Sequence, residues 1–170
     1  MNGAHFHLLV NHAPLFALVF ALPLLGYVAL RQDLGAWRAA VFLMVVGGVS
    51  AVAALRSGEP AEEFLEARME VSEDLVHEHE ERAEVATVLA VLGGVLAPLA
   101  YWRRHRRERL AAAATLVAAL AGAGAMAWTA NAGGAIRHPE ELGLRPAAAS
   151  DGALAPAGTN GGGSDNASRK

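Results

Sequence analysis

Seven histidines are the residues of this sequence with the most chemistry to offer: His5, His7, His12, His77, His79, His105 and His138. Neutral imidazole is a ligand for haem iron, copper or zinc, and it titrates near neutral pH. Cysteine is absent, which excludes thiolate metal sites and disulfide scaffolds. Glu62, Glu63, Glu80 and Glu84 lie close in sequence to the histidines and are hard oxygen donors suited to iron, manganese or zinc. No nucleophile elbow, P-loop or dinucleotide fingerprint occurs, and His77-Glu78-His79 lacks the spacing of a zincin helix. No catalytic residue is therefore assigned, and a non-enzymatic role is the expectation.

The elements that must position these groups are membrane helices. The chain has 170 residues, 54% of them hydrophobic and 18% charged, against roughly 45–50% and about 25% in soluble domains. Four apolar runs, at about 8–30, 36–55, 85–102 and 110–130, are long enough as helix to cross a hydrocarbon core of about 30 Å. The expected fold is all-α: an integral membrane four-helix bundle occupying residues 1–142, with an extracytoplasmic helical hairpin between spans two and three. The first run lacks the basic flank and cleavage site of a signal peptide, so it is expected to stay. Residues 143–170, rich in Ala, Gly, Pro and Ser, have no apolar period and are expected to form a disordered tail.

Charge sets the expected orientation. Arg31 and Arg38 flank the first turn, and Arg103, Arg104, Arg106, Arg107 and Arg109 fill the third; both should face the cytoplasm. The connection between spans two and three carries eleven acids against Arg68 and Arg82 from Glu59 to Glu84, and should lie outside with both termini. The bias to arginine over lysine suits a GC-rich bacterial coding sequence, hence a bacterial inner-membrane protein. The net charge of −3 gives no reason to expect nucleic acid as a partner.

Within the outer segment, Pro60 among acids predicts a short surface helix over 60–68. Ser72 before Glu73 and Asp74 predicts an N-cap, followed by a helix running to Arg104 and bent at Pro98. Trp37, Tyr101, Trp102 and Trp128 fall near span ends and are expected as headgroup-layer anchors. Gly47, Gly48, Gly93, Gly94, Gly122 and Gly124 are expected where helices touch.

Helical phase then sorts the histidines. On this topology all but His105 lie at the outer face, on the starts of spans one and three and the end of span four. Leu75, Val76, His79, Ala83, Ala86 and Ala90 follow one apolar face, so His79 points into the bundle. His77 lies about 200° away, with Glu81 and Glu84, and is expected to be solvated. His12 sits inside the first apolar run, where an ionisable group marks a functional candidate. His7 precedes it by five residues, and a helix break near Pro14 would bring the two together. Gly133 and Gly134 permit close packing just before His138.

The segments HFHLLVNHAP, SGEPAEEFLE, VHEHEERAE and ANAGGAIRHPE resemble a bacterial family of uncharacterised four-span membrane proteins, a domain of unknown function with a His-rich first span and a Gly-Gly to Arg-His-Pro-Glu ending of the fourth. The resemblance covers residues 6–142. It implies the fold and topology but no activity, and its matching positions are His7, His12, His79 and His138 with Glu62, Glu63 and Glu80.

The functional expectation is a haem b or transition-metal site at the outer face, bound by His7, His12, His79 and His138, with Glu63 and Glu80 as further metal ligands. Such a site would serve redox or electron transfer with a respiratory or other membrane-protein partner. The alternative is a non-catalytic subunit or scaffold docking a partner through the acidic outer loop. A pH-responsive histidine patch is a third reading. Transport ranks last, because the spans lack internal carboxylates or arginines and paired broken helices.

Overall fold

The computed structural model describes residues 3–67, 73–104 and 108–137. They form α1 (Gly3–Val10), α2 (Ala13–Arg31), α3 (Leu34–Glu66), α4 (Glu73–Arg103) and α5 (Glu108–Arg137), and no strand occurs among the described residues. Four helices are long and apolar enough to cross a membrane: His5–Arg31, counted through the α1–α2 junction, Leu34–Phe64, Glu73–Arg103 and Glu108–Ile136. The fold is the expected all-α bundle, compatible with a four-span membrane protein. Helices α2 to α5 pack as a ring in chain order, α2 against α3 and α5, and α4 against α3 and α5. Helix α1 lies against α3.

Local chemistry explains the helix ends. Pro14 has no N–H, so the carbonyl of Val10 loses its helical partner and the first apolar run breaks at Asn11 and His12. Between α2 and α3, Gln32 takes a left-handed conformation at φ 55° and its N–H donates 2.7 Å to Val28 O. Asp33 then caps α3, accepting the Ala36 N–H at 2.7 Å.

One expected boundary is corrected. The short surface helix predicted over 60–68 is not separate, because α3 continues through Pro60 to Glu66. The proline ring removes one hydrogen bond, but Ser57 and Ala61 are buried along this stretch, where α1 packs on α3. Tertiary packing outweighs the local break. The helix predicted from Ser72 to Arg104 is observed as Glu73–Arg103, with Glu73 and Asp74 in its first turn. Ser72 lies outside the described residues, as do 143–170.

The core is built from small side chains and a few large ones: Leu18, Leu25, Met44, Ala90, Ala119 and Met126 belong to one buried cluster. Glycine lets α3 and α4 approach backbone to backbone. A Cβ on Gly48 would stand 3.1 Å from Ala90 O, and one on Gly94 would stand 3.1 Å from Met44 O. Close approach of this kind is how helices associate in lipid, where burial of apolar surface gives little drive. Gly47, Gly93 and Gly122 also meet neighbouring side chains, whereas Gly124 has nothing within 4 Å and takes no part in packing. Large apolar side chains such as Leu30, Phe42, Val49, Val95 and Val117 face outward, as a lipid solvent requires.

The aromatic anchors divide. Trp102 and Trp128 are exposed, as expected. Trp37 is not an anchor: it is fully buried with Val28 and Ala112, edge-on to Tyr101 at 5.7 Å between ring centroids. Its position one turn into α3 turns it toward α2 and α5 rather than toward lipid.

Candidate functional site

At the end of the bundle formed by the start of α2, the end of α3, the start of α4 and the end of α5, the helices surround an open cavity of about 700 Å³. That is within the range of roughly 300–1,000 Å³ that ligand pockets occupy. Its wall is mainly apolar, with Leu15, Ala51, Leu55, Val76, Ala83 and Met126 contributing. Its polar groups are concentrated: His5, His7, Asn11, His12, Glu62, His79 and Glu80 all line it.

His79 is held from α5. It is half-buried, and its Nδ1 lies 3.1 Å from the backbone carbonyl of Thr129. A carbonyl only accepts, so Nδ1 carries the proton and Nε2 keeps the lone pair. The contact exists because Gly133 has no side chain: a Cβ there would lie 3.1 Å from His79 Cε1. Thr129 directs its own hydroxyl to Ala125 O at 3.0 Å, out of the way of the imidazole.

His7 is held from α3 in a similar manner. Its Nδ1 stands 3.0 Å from Ser57 Oγ, and that hydroxyl donates 2.9 Å to Ala54 O. With its hydrogen committed to Ala54, Ser57 Oγ accepts from His7, and Nε2 again keeps the lone pair. Two imidazoles from two helices are thus fixed in the same tautomer beside one cavity. Anchoring of Nδ1 by an oxygen acceptor is the arrangement that orients ligating histidines.

The other predicted residues are placed as follows. His12 occupies the α1–α2 break, exposed at the cavity rim, stacked on Phe16 at 6.3 Å between centroids and bonded to Asn11 Oδ1. It lines the cavity from the helix break rather than from a continuous helix face, which leaves it exposed. Glu80 is exposed and lines the cavity, whereas Glu63 is exposed and does not appear in the wall. His138 and His105 lie outside the described residues. His77 is exposed and pairs with Glu81 at 3.3 Å, on the solvated face expected of it. Among the described residues no three His, Asp or Glu side chains stand where they could hold one metal ion.

Sequence reasoning placed His5 at the outer face without assigning it to the site, and missed Ser57, Thr129 and the specific role of Gly133. The seven-residue spacing from His5 to His12 was the signal that could have added His5 to the site. Ser57 and Thr129 act through a hydroxyl and a backbone carbonyl, groups that helical phase alone does not single out.

Compared with known proteins, the chain matches no family model, no curated protein and no solved structure. The resemblance to an uncharacterised four-span family therefore gains no support beyond the four long apolar helices themselves.

Proposed function

We propose that the cavity binds haem through an imidazole Nε2, that of His79 or His7, and that the protein is a multi-pass membrane protein of redox or electron-transfer function. The observation that supports this reading is the pair of Nδ1-anchored imidazoles beside an apolar cavity. Haem is favoured over a bare transition metal by ligand count. A metal ion held by protein alone needs three or four side chains, and no such group stands ready among the described residues. Haem iron brings four nitrogens of its own and asks the protein for one or two. Bound there, haem would supply one-electron chemistry; His79 or His7 would hold it through Nε2, within an apolar enclosure, with Thr129 O or Ser57 Oγ fixing the imidazole.

On this reading the histidine-rich end faces outside and the arginine-rich end the cytoplasm of a bacterium, with the acidic segment open to a membrane-protein partner. A partner-docking subunit without cofactor is the second reading, favoured by the exposed acids Glu73, Asp74, Glu81 and Glu84 beside the cavity end.

An absorption spectrum of the mildly purified protein, with and without added haemin, tests the proposal. A haem Soret band is expected, lost with helicity intact when the ligating imidazole is removed by His79→Ala or by His7→Ala, and unchanged in His77→Ala. Ser57→Ala should loosen His7 and, if His7 ligates, weaken haem binding by about 10–100-fold, the usual effect of removing a group that orients a ligand. Acid should release haem, since the ligating nitrogen must be unprotonated. A protein that neither carries haem nor takes it up points to the docking subunit.

A further inference from the structure

At the opposite end of the bundle, two guanidinium groups from different helices converge on one ring. Arg38, at the start of α3, donates from Nε to Tyr101 Oη at 2.9 Å. Arg104 follows the end of α4 and lies over the same ring, its Cζ 4.1 Å from the centroid, while its Nη1 donates to Tyr101 O at 2.7 Å. The ring itself is fixed edge-on by the buried Trp37. This is a built arrangement: one aromatic side chain holds two cations in place.

Among the described residues this pair has no counter-charge in contact: no ion pair within 4.0 Å joins Arg38 or Arg104 to a carboxylate there. Like charges gathered by a shared partner repel, and an anion between them removes that cost. Guanidinium is the group that binds phosphate through paired N–H donors, and each arginine keeps donors beyond those bonded to Tyr101. The same end presents large apolar surface: Leu30 is 83% and Trp102 73% exposed. A basic pair beside lipid-facing apolar side chains fits a phosphate that arrives with acyl chains attached.

We infer that Arg38 and Arg104, assembled on Tyr101, bind the phosphate of an anionic phospholipid. The inference is independent of the cavity and stands whether or not that cavity takes haem.

The test compares phosphatidylglycerol with phosphatidylcholine as probes, by counting lipid retained on the full chain in native mass spectrometry. Wild-type protein should retain phosphatidylglycerol preferentially. Arg38→Gln and Arg104→Gln should each weaken retention about tenfold or more, as expected for loss of a hydrogen bond to a charged group. Tyr101→Phe, which keeps the ring and removes the Arg38 acceptor, should give a smaller loss. Arg103→Gln makes the same change in net charge at an exposed position outside the cluster and should retain lipid like wild type. An equal loss in Arg103→Gln would show diffuse attraction and overturn the site. Inorganic phosphate competing at the lipid's own concentration would overturn the assignment to lipid. Should Arg38→Gln fail to fold, Arg38→Lys keeps the charge without the planar fork and is expected to lose preference; unchanged preference in both it and Tyr101→Phe also overturns the site.

Discussion

His79 rests on Gly133, and this contact joins the start of α4 to the end of α5 at the mouth of the cavity. A methyl group on residue 133 would meet Cε1 at 3.1 Å and Nδ1 at 3.3 Å, inside ordinary van der Waals separation. The glycine thus determines whether the imidazole reaches Thr129 O, and through that bond which nitrogen keeps its lone pair.

Gly133→Ala should therefore displace His79 from Thr129. The expected cost is that of overpacking, about 1–3 kcal/mol, together with loss of any haem held by His79. Gly134→Ala serves as the control, because nothing lies within 4 Å of its Cβ position; there alanine should be neutral or stabilise α5 by up to about 1 kcal/mol. Thermal unfolding in detergent and the Soret band measure the two effects. Equal behaviour of the two variants would remove the role given to Gly133.

The sequence made the bundle legible because length and hydropathy act over some twenty residues at once. The inward phase of His79 and the solvated phase of His77 were legible for the same reason: α4 is regular, and its period carries through. The exposed place of His12 at the rim was not, since it sits in the turn of Asn11 and His12, just ahead of Pro14. Pro60 misled in the opposite sense. Its local preference for a helix start gave way to the packing of α1 along α3, a contact between segments some fifty residues apart. Ser57 and Thr129 stayed hidden because their part in the site is to accept one hydrogen bond each.

Trp37 offers a test of the core. It is fully buried and its indole Nε1–H has no hydrogen-bond partner among the described residues. Leaving a buried donor unmade costs about 1–3 kcal/mol, which offsets part of what the large ring contributes by packing. Trp37→Phe removes the donor and keeps an aromatic edge for Tyr101, so its net change should stay within about 1.5 kcal/mol, in the range of tolerated apolar swaps. Trp37→Ala should cost about 3–5 kcal/mol. Chemical denaturation in mixed micelles distinguishes these outcomes; a cost for phenylalanine matching that for alanine would mean the N–H is satisfied after all.

The contact of α3 with α4 makes a second stability prediction. A Cβ at Gly94 would stand 3.1 Å from Met44 O and 3.6 Å from Val45 Cα, both backbone atoms that cannot rotate aside. Gly94→Ala should force the helices apart and destabilise by about 1–3 kcal/mol. Gly124→Ala, with open space at its Cβ position, should instead stabilise by about 0.5–1 kcal/mol through helix propensity. Opposite signs from one chemical change, read by melting temperature, would identify α3–α4 as a backbone-to-backbone interface.

Orientation is tested by where single cysteines react, and the chain offers a clean background because it has none of its own. The arginine-rich end, with exposed Arg31, Arg38, Arg103 and Arg109, is expected in the cytoplasm, and the acidic end, with exposed Glu63, Glu73 and Asp74, outside. Ala61 sits at the acidic end but is buried, so a thiol there would report packing rather than sidedness. Asp74→Cys is exposed at the first turn of α4 and should react with a membrane-impermeant maleimide in intact cells. Arg31→Cys, at the last turn of α2, should react only after the membrane is opened. The reversed pattern would place the histidine cavity on the cytoplasmic side, and would move the basic pair on Tyr101 to the outer leaflet.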